Sequence, residues 1–339
     1  MDGPSDHTSS VPDKLDRLIL HAIRAECRAP FALIAEVVGA SEQTVARRYR
    51  RMEADGLLRV MGLPSATGNG LDRWVLRIQC RPDAAGLLAA ALAKRNDVSW
   101  VSLSAGGSEV VCSSQTAPGV SGHELLLQRL PRTAQVQGLS AHSVLHEFDV
   151  DAEWGAYGPG LSDASRTRLR TGVNLAADDG PVRRLNQDDD PLLDALRRDG
   201  RATLRTLAGV TGWSPNRVSR RIDQLRASGE LYFDVDLNIG GLGFSSMSYI
   251  WVTVAPSDLA AVGNELVSHD EVAFCAAVTG SANLVVVVIC RDSADLYRYV
   301  TTRIGAITAV RQIETSPVLR RVKQAGSLVG RGRIAPRTA

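Results

Sequence analysis

One stretch of the chain, Trp213–Leu231, alternates apolar and polar residues with the period of an α-helix. Ser214 is a good N-cap, Pro215 fits the first helical position, and Gly229 suits the end of the helix. A second amphipathic segment, Thr203–Val210, precedes it across a glycine-containing turn. On the helix predicted for Trp213–Leu231, Val218, Ile222 and Leu225 form an apolar stripe. The other faces of this helix carry Asn216, Arg217, Arg220, Arg221, Gln224 and Arg226. The pattern is typical of a helix-turn-helix; the alternative is a surface helix with a solvated arginine face.

The same arrangement occurs a second time, 173 positions earlier in the chain. Arg47-Arg48 then aligns with Arg220-Arg221 without gaps. Seven further positions align under this shift: Ala35 with Ala208, Gly39 with Gly212, Ser41 with Ser214, Val45 with Val218, Tyr49 with Ile222, Met52 with Leu225 and Gly56 with Gly229. Cap, turn glycine, apolar stripe and arginines repeat together. A repeat unit of about half the chain predicts tandem domains rather than a solenoid.

A different pattern follows each predicted helix-turn-helix. Short alternating strands and two helices occur in the order βαββαβ, which predicts a ferredoxin-like module. The order repeats with a slightly different shift, because Pro82 aligns with Pro256 and Gly106 with Gly280. We therefore expect an α+β fold in which two winged-helix-like helix-turn-helix domains alternate with two ferredoxin-like domains.

The predicted segments are a disordered lead (1–12), a first helix-turn-helix (13–61), a first βαββαβ domain (70–148), a linker with a short helix (149–187), a second helix-turn-helix (188–236), a second βαββαβ domain (244–323) and a mobile tail (324–339). Further expectations are a helix at Gly122–Leu130 and docking of the linker through Trp154 and Leu161. Tyr232–Gly243 is interpreted as a connection.

Composition limits the classes of function. The 339 residues carry a net charge of +2, so any DNA binding must depend on local basic patches. The cysteines number five, are scattered and form no CxxC pair, which indicates buried thiols in a reducing cytoplasm. No apolar run approaches the roughly 20 residues of a membrane span, and the polar N-terminus lacks a signal core. His142 and His146 stand alone, and no nucleophile–base pair, phosphate loop or metal set is present. We expect no catalysis, no metal and no cofactor.

These motifs resemble the Lrp/AsnC (feast/famine) family of transcription regulators. Leu15-Asp16-Arg17-x-Ile19-Leu20 opens the first unit, and Gly39-x-Ser41-x-x-x-Val45-x-x-Arg48 with Glu53-x-x-Gly56 closes its helix-turn-helix. The second copy has Gly200-Arg201, Leu207-Ala208, Ser214, Arg220-Arg221 and Gly229, and Val278-Thr279-Gly280 with Thr315–Lys323 resembles the family's effector domain. The whole is similar to double-length members. The resemblance implies effector sheets that pair within the chain, further assembly into homo-oligomers, and DNA and an amino-acid-like effector as partners.

Two predicted recognition helices, Ser41–Asp55 and Ser214–Ser228, would enter successive major grooves of double-stranded DNA. Asparagine and glutamine pair with adenine and arginine with guanine, while other arginines hold phosphates. For Arg48 and Arg221, beside the apolar stripe, packing or a phosphate contact suits better than base readout. The expected DNA-binding residues are Gln43, Thr44, Arg47, Arg50 and Arg51 in the first copy, and Asn216, Arg217, Arg220, Arg221 and Gln224 in the second.

The resemblance also places an effector near the glycine turn at the interface of paired effector domains. The family usually has an aspartate after this glycine, whereas here Gly280 is followed by Ser281-Ala282-Asn283. In the first copy Gly106 is followed by Gly107-Ser108-Glu109, and the loss of the aspartate puts the usual ligand in doubt, at least in that copy. Our candidates are Thr279, Gly280, Ser281 and Asn283, in preference to Ala105–Glu109; the alternative is a plain β-turn with a capping asparagine. The competing function is an architectural DNA-binding protein without an effector.

Overall fold

A computed structural model describes residues 12–66, 68–116, 136–150, 160–171, 184–325, 327–330 and 333–335. Over these residues the protein is α+β, with helices and antiparallel sheets, as the sequence predicts. The predicted helix at 122–130 and the docking residue Trp154 lie outside the described residues.

Three short helices form the first helix-turn-helix: α1 (Lys14–Ala25), α2 (Phe31–Val38) and α3 (Glu42–Ala54). Gly39, in the left-handed conformation at φ 70°, makes the turn between α2 and α3. The Ser41 hydroxyl then caps α3 by accepting from the Thr44 amide at 3.2 Å. On α3 the predicted stripe is buried, namely Val45, Tyr49 and Met52.

The second helix-turn-helix repeats these features in α6 (Asp190–Arg198), α7 (Leu204–Thr211) and α8 (Pro215–Ala227). Gly212 again ends the middle helix at φ 70°, and Ser214 caps the third through the Arg217 amide at 3.3 Å. The buried stripe is Val218, Ile222 and Leu225. Both recognition helices, α3 and α8, are thus positioned by the same cap, turn and stripe.

A strand follows each recognition helix, and the two strands pair with each other. Strands β1 (Leu58–Pro64) and β6 (Leu231–Leu237) form an antiparallel two-stranded sheet with Val60 opposite Val235. We call this sheet the wing ribbon. The interpretation of Tyr232–Gly243 as a connection is therefore wrong for its first part, residues 232–237, which belong to β6. Its partner strand lies more than 160 residues earlier, so no local signal specifies the pairing.

A module of strands and helices follows each helix-turn-helix unit; the second has the order βαββαβ, and in the first the segment between its third and fourth strands lies outside the described residues. The first contains β2 (Asp72–Cys80), α4 (Pro82–Ala93), β3 (Val98–Ser104), β4 (Glu109–Thr116) and β5 (Val136–Glu147). The second contains β7 (Ser246–Val254), α9 (Leu259–Val267), β8 (Val272–Val278), β9 (Leu284–Cys290), α10 (Ser293–Arg298) and β10 (Val310–Arg321). After α10 the chain continues through a π-helical turn, Tyr299–Arg303, and a 3₁₀ turn.

The two modules join edge to edge into a closed eight-stranded barrel in the order β10-β3-β4-β2-β5-β8-β9-β7. Strand β5 of the first module pairs with β8 of the second, with Val144 opposite Val278. Strand β10 pairs with β3, with Val318 opposite Ser104. Closure leaves neither module with a free sheet edge. The expected pairing of the two sheets within one chain takes this form.

Helices cover the outside of the barrel, and a polar cluster joins the modules inside it. Outside, Val262 and Leu266 of α9 pack on strands of the second module. Inside, Arg77 donates to Glu109 at 2.7 Å and to Glu314 at 2.6 Å, and its guanidinium lies 4.6 Å from the ring centroid of Trp251. Because β2, β4, β7 and β10 supply these residues, the cluster ties both modules together.

Linker and tail both contact the first helix-turn-helix. The linker helix α5 (Asp163–Thr171) follows the buried Leu161, which docks as expected. The described part of the tail differs from the mobile segment that we expected. Strands β11 (Val329–Gly330) and β12 (Arg333–Ile334) form a hairpin, and the Ile334 amide donates to the Gly56 carbonyl at 3.3 Å. Buried Ile334 anchors this segment, although composition alone suggested a free end.

Among the described helices, none has the length and apolar character needed to span a bilayer.

Candidate nucleic-acid interface and barrel cavity

The two recognition helices present most of the predicted DNA-binding residues to solvent. On α3 the exposed residues are Gln43, Arg47, Arg50 and Arg51, with Thr44 partly buried; on α8 they are Asn216, Arg217 and Arg220, with Gln224 partly buried. Some are already engaged within the protein. The Thr44 hydroxyl lies 2.8 Å from that of Ser41, and Arg51 pairs with Asp16 at 2.5 Å.

Arg221 differs from its neighbour Arg220, because it is buried. It forms two hydrogen bonds to the Asp189 carboxylate, from Nε at 2.8 Å and from Nη2 at 2.6 Å. Burial alone would raise the pKa of Asp189, but the Arg221 hydrogen bonds and the Asn186 amide hold it below its ordinary value. Of the two roles left open for Arg221, the geometry fits packing rather than a phosphate contact.

The first copy contains the same ion pair in a more open setting. Arg48 contacts Asp16 at 3.0 Å and also Asp13 at 2.5 Å. Arg48 and Asp16 align with Arg221 and Asp189 under the shift that relates the two copies. In both units the second arginine of the pair therefore anchors the recognition helix to the residues that begin the domain.

The two helix-turn-helix units also hold each other through a reciprocal contact that sequence reasoning missed. Arg28 donates to the carbonyls of Gly200 at 2.5 Å and Ala202 at 3.2 Å. Arg201 donates to the carbonyls of Cys27 at 2.5 Å and Ala29 at 2.7 Å. Arg28 and Arg201 are equivalent positions, so the units are related by a pseudo-twofold axis. This contact fixes how the two recognition helices lie relative to each other.

Polar groups of the predicted effector turn, Thr279–Asn283, form hydrogen bonds to other parts of the protein. The Thr279 hydroxyl accepts from the Ser143 amide at 2.9 Å. Both ends of the Asn283 amide bond to the backbone of Val254, at 2.9 and 3.0 Å. Gly280, at φ 121°, lies so close to His142 that a Cβ there would stand 2.7 Å from the ring. Ser281 offers its carbonyl to the Thr253 hydroxyl at 3.2 Å. An effector site at this turn stays a prediction.

A cavity of about 410 Å³ lies between the inner face of the barrel and the wing ribbon. We call it the barrel cavity. Val75 and Val111 line it from the first module, Tyr249 and Val287 from the second, and Leu237 from the ribbon. The segments that build it are far apart in sequence, and no motif marks it. All five cysteines are buried and free; Cys112 alone among them lines this cavity.

A carboxylate in the barrel cavity is almost completely buried. Asp236, on the wing ribbon, is 1% exposed. Burial and the neighbouring Asp234 carboxylate raise the pKa of Asp236 to about 7, although Ser327, Arg321 and the Ala325 amide oppose the change. Among the described residues, neither carboxylate oxygen has a hydrogen-bond partner in good geometry.

This burial predicts a pH-dependent effect of Asp236→Asn. Because the pKa of Asp236 rises from 3.8 to about 7 on folding, the folded chain binds the extra proton between these values. The contribution of Asp236 protonation to the free energy of unfolding is therefore complete below pH 3.8 and is lost as the pH rises through about 7. Asparagine cannot ionise, so the variant should exceed wild type in free energy of unfolding by on the order of a few kcal/mol above neutrality, and converge with it in acid.

Urea unfolding between pH 4 and 9 measures this difference, with the exposed Asp270→Asn as the control. A difference between Asp236→Asn and wild type that does not change with pH would show that the carboxyl is not buried as described.

Comparison with known proteins identifies the two repeated segments separately. Residues 13–53 and 185–226 each match the AsnC-type helix-turn-helix domain. Residues 247–328 match the Lrp/AsnC ligand binding domain. The second match covers most of the second βαββαβ module and the tail segment next to it.

Curated relatives match about two fifths of the chain and nearly their own full length. The HTH-type transcriptional regulator FL11 of Pyrococcus abyssi (strain GE5 / Orsay) is 30% identical over 145 residues, which are 42% of this chain and 95% of the relative. FL11 of Pyrococcus furiosus is 27% identical over 145 residues, with the same coverage of both chains. A single relative thus corresponds to one of the two units found here.

One solved structure resembles the whole arrangement. The siroheme decarboxylase NirDL covers 92% of this chain and 93% of its own, with a TM-score of 0.60 at 13% sequence identity. At this identity the likeness concerns the fold alone. Sequence matches, relatives and repeated helix-turn-helix geometry agree, and the chain belongs to the Lrp/AsnC family, in a form that carries two AsnC-type helix-turn-helix segments.

Proposed function

We propose that this protein is a sequence-specific DNA-binding transcriptional regulator in which both recognition helices contact one operator. The proposal depends on the different positions of two adjacent arginines on each of the helices α3 and α8. Arg47 and Arg220 are exposed, whereas the next residues, Arg48 and Arg221, anchor their helices through Asp16 and Asp189. A fixed helix with exposed arginine and amide side chains suits readout of the major groove.

The two half-sites should differ in sequence. Arg50-Arg51 of the first copy is replaced by Asp223-Gln224 in the second. A carboxylate facing the phosphates weakens binding, because the DNA backbone is negatively charged. We therefore infer an imperfect palindrome in which the second half-site is the weaker one. Gating by a small molecule and assembly of whole chains into homo-oligomers are further parts of this proposal.

The fold shared with NirDL raises catalysis as a second candidate. One NirDL structure is a complex with an iron-uroporphyrin III analogue, a polycarboxylate that needs a cationic pocket. The barrel cavity offers Arg24, Arg73 and Arg321, but Glu147, Asp234 and Asp236 balance them. Because the three arginines are balanced by three carboxylates, the cavity is poorly suited to a polyanionic ligand. The names of the relatives and the geometry of α3 and α8 support the regulator.

Alanine substitutions on the exposed faces test DNA binding. Arg47→Ala and Arg220→Ala should each weaken binding to the operator by about 1–3 kcal/mol and relax one base preference, because each removes one guanine contact. Titration of fluorescent operator DNA at fixed salt gives the affinities. Arg311→Ala, which removes an exposed arginine from β10 of the barrel, serves as the matched control. Equal affinities for wild type and both variants would contradict the assignment.

A further inference from the structure

The barrel cavity contains buried polar atoms that have no hydrogen-bond partner in good geometry among the described residues, although Ser327 and the Ala325 amide lie near Asp236, and all of these atoms are acceptors. Asp236 contributes both carboxylate oxygens, and Gln324, also 1% exposed, contributes Oε1. The amide nitrogen of Gln324 is used, since it donates to the Leu237 carbonyl at 3.0 Å. Buried acceptors without partners are costly, so such a site favours a ligand that brings donors.

The arginines around the cavity each have a partner within the protein, and Arg321 in addition lies near enough to Asp236 to oppose the rise in its pKa. Arg321 donates to the Leu237 carbonyl at 3.1 Å. Arg73 pairs with Glu147 and stacks on Phe274, with its guanidinium carbon 5.4 Å from the ring centroid. Arg24 also has an interaction within the protein. The acceptors of Asp236 and Gln324 thus remain for a ligand, with Asp234 adding a second negative charge nearby.

The walls of the cavity suit an apolar body with aromatic contacts. Val287, Ile289 and Tyr249 belong to the inner face of the barrel. Trp100 also lines the cavity, where the β3 register shifts, with its backbone in the left-handed region at φ 54°. A tryptophan in this conformation is strained, and strained residues cluster at ligand sites. Aromatic rings in addition favour a nearby organic cation.

We propose that the barrel cavity binds a small organic amine, with its apolar body against the valine and aromatic wall and its ammonium group donating to Asp236 and Gln324. This site is separate from the Thr279–Asn283 turn. It is formed between the ribbon and the barrel, and it requires both halves of the chain.

Occupation of this site would act on DNA binding through β6. That strand begins four residues after α8 ends at Ala227, and its residues Val235, Asp236 and Leu237 line the cavity. A ligand wedged between β6 and the barrel shifts the population towards ribbon positions that it fits best. This regulatory step rests on the proposed function, whereas the binding itself does not.

Binding is tested on the full-length protein without DNA, by calorimetry and thermal unfolding. The probes are phenethylamine, tryptamine and hexylamine, each compared with the carboxylate that has the same body: 3-phenylpropionate, indole-3-propionate and heptanoate. We expect at least one amine to bind and to raise the unfolding temperature at pH 8, where Asp236 is ionised, and its matched carboxylate to have no effect.

Asp236→Asn should weaken binding of that amine by about tenfold to a hundredfold, because it removes the charged acceptor. Asp270→Asn, at an exposed carboxylate outside the cavity, should bind like wild type. Absence of binding for all three amines, or equal binding of the carboxylates, overturns the proposal. The same amine added to the operator titration tests regulation: an unchanged affinity for DNA sinks the regulatory step and leaves the ligand site standing.

Discussion

Replacing Arg221 with alanine should lower the free energy of unfolding of the second helix-turn-helix by about 3–5 kcal/mol, whereas Arg220→Ala should change it by less than about 0.5 kcal/mol. These adjacent arginines differ in burial. Arg221→Ala leaves the Asp189 carboxylate, 2% exposed, without the guanidinium that forms two hydrogen bonds to it. Arg220 lies on the exposed face of α8. Urea unfolding followed by circular dichroism measures both variants.

A paired substitution separates loss of the ion pair from loss of volume. Asp189→Leu combined with Arg221→Met removes both charges and should recover most of the stability, since an apolar replacement of a buried pair is often neutral. If Arg221→Ala were as stable as wild type, the packing role given to this arginine would be wrong, and a phosphate contact would again be the better interpretation.

Gly200→Ala should lower the free energy of unfolding, because the added methyl group would clash at the contact between the wing ribbon and the second helix-turn-helix. A Cβ at this position would lie 2.7 to 2.8 Å from the backbone of Met61 in β1, and the Gly200 amide donates to the Val60 carbonyl at 2.9 Å. Backbone atoms of a paired strand cannot move aside as a flexible side chain can. We expect a loss of about 1–3 kcal/mol, the usual range for overpacking, or more.

Gly209→Ala is the matched control in the same domain. Gly209 lies inside helix α7, and a Cβ there would meet nothing within 4 Å. Alanine should therefore stabilise the protein by about 0.5–1 kcal/mol through its better helix propensity. Thermal unfolding of both variants should move in opposite directions. A tolerated Gly200→Ala would mean that β1 does not pack on the α6–α7 turn as described.

The helix-turn-helix units could be predicted from sequence because their signals are local. Ser41 and Ser214 cap a helix within four residues of a turn glycine, and the buried stripe follows at helical spacing. The order of strands and helices in the modules is local in the same sense. Comparison of the two copies strengthened both predictions, since a repeated cap, turn and stripe is a stronger pattern than one alone.

Contacts between the copies could not be predicted in the same way. The wing ribbon pairs β1 with β6, and the Arg28 and Arg201 contacts reach equivalent backbone on the other unit. The sequence left both packing and a phosphate contact open for Arg221, and its burial against Asp189 favours packing. The barrel cavity is formed by many segments that are distant in sequence, so no single segment carries a pattern that predicts its acceptors.

Sequence-specific binding by both recognition helices can be tested by footprinting wild type, Arg47→Ala and Arg220→Ala on the DNA upstream of the protein's own gene. We expect a bounded footprint of two unequal half-sites, with each substitution weakening protection of a different half. Diffuse protection that neither substitution changes would contradict sequence-specific binding by two recognition helices and would favour an architectural DNA-binding protein.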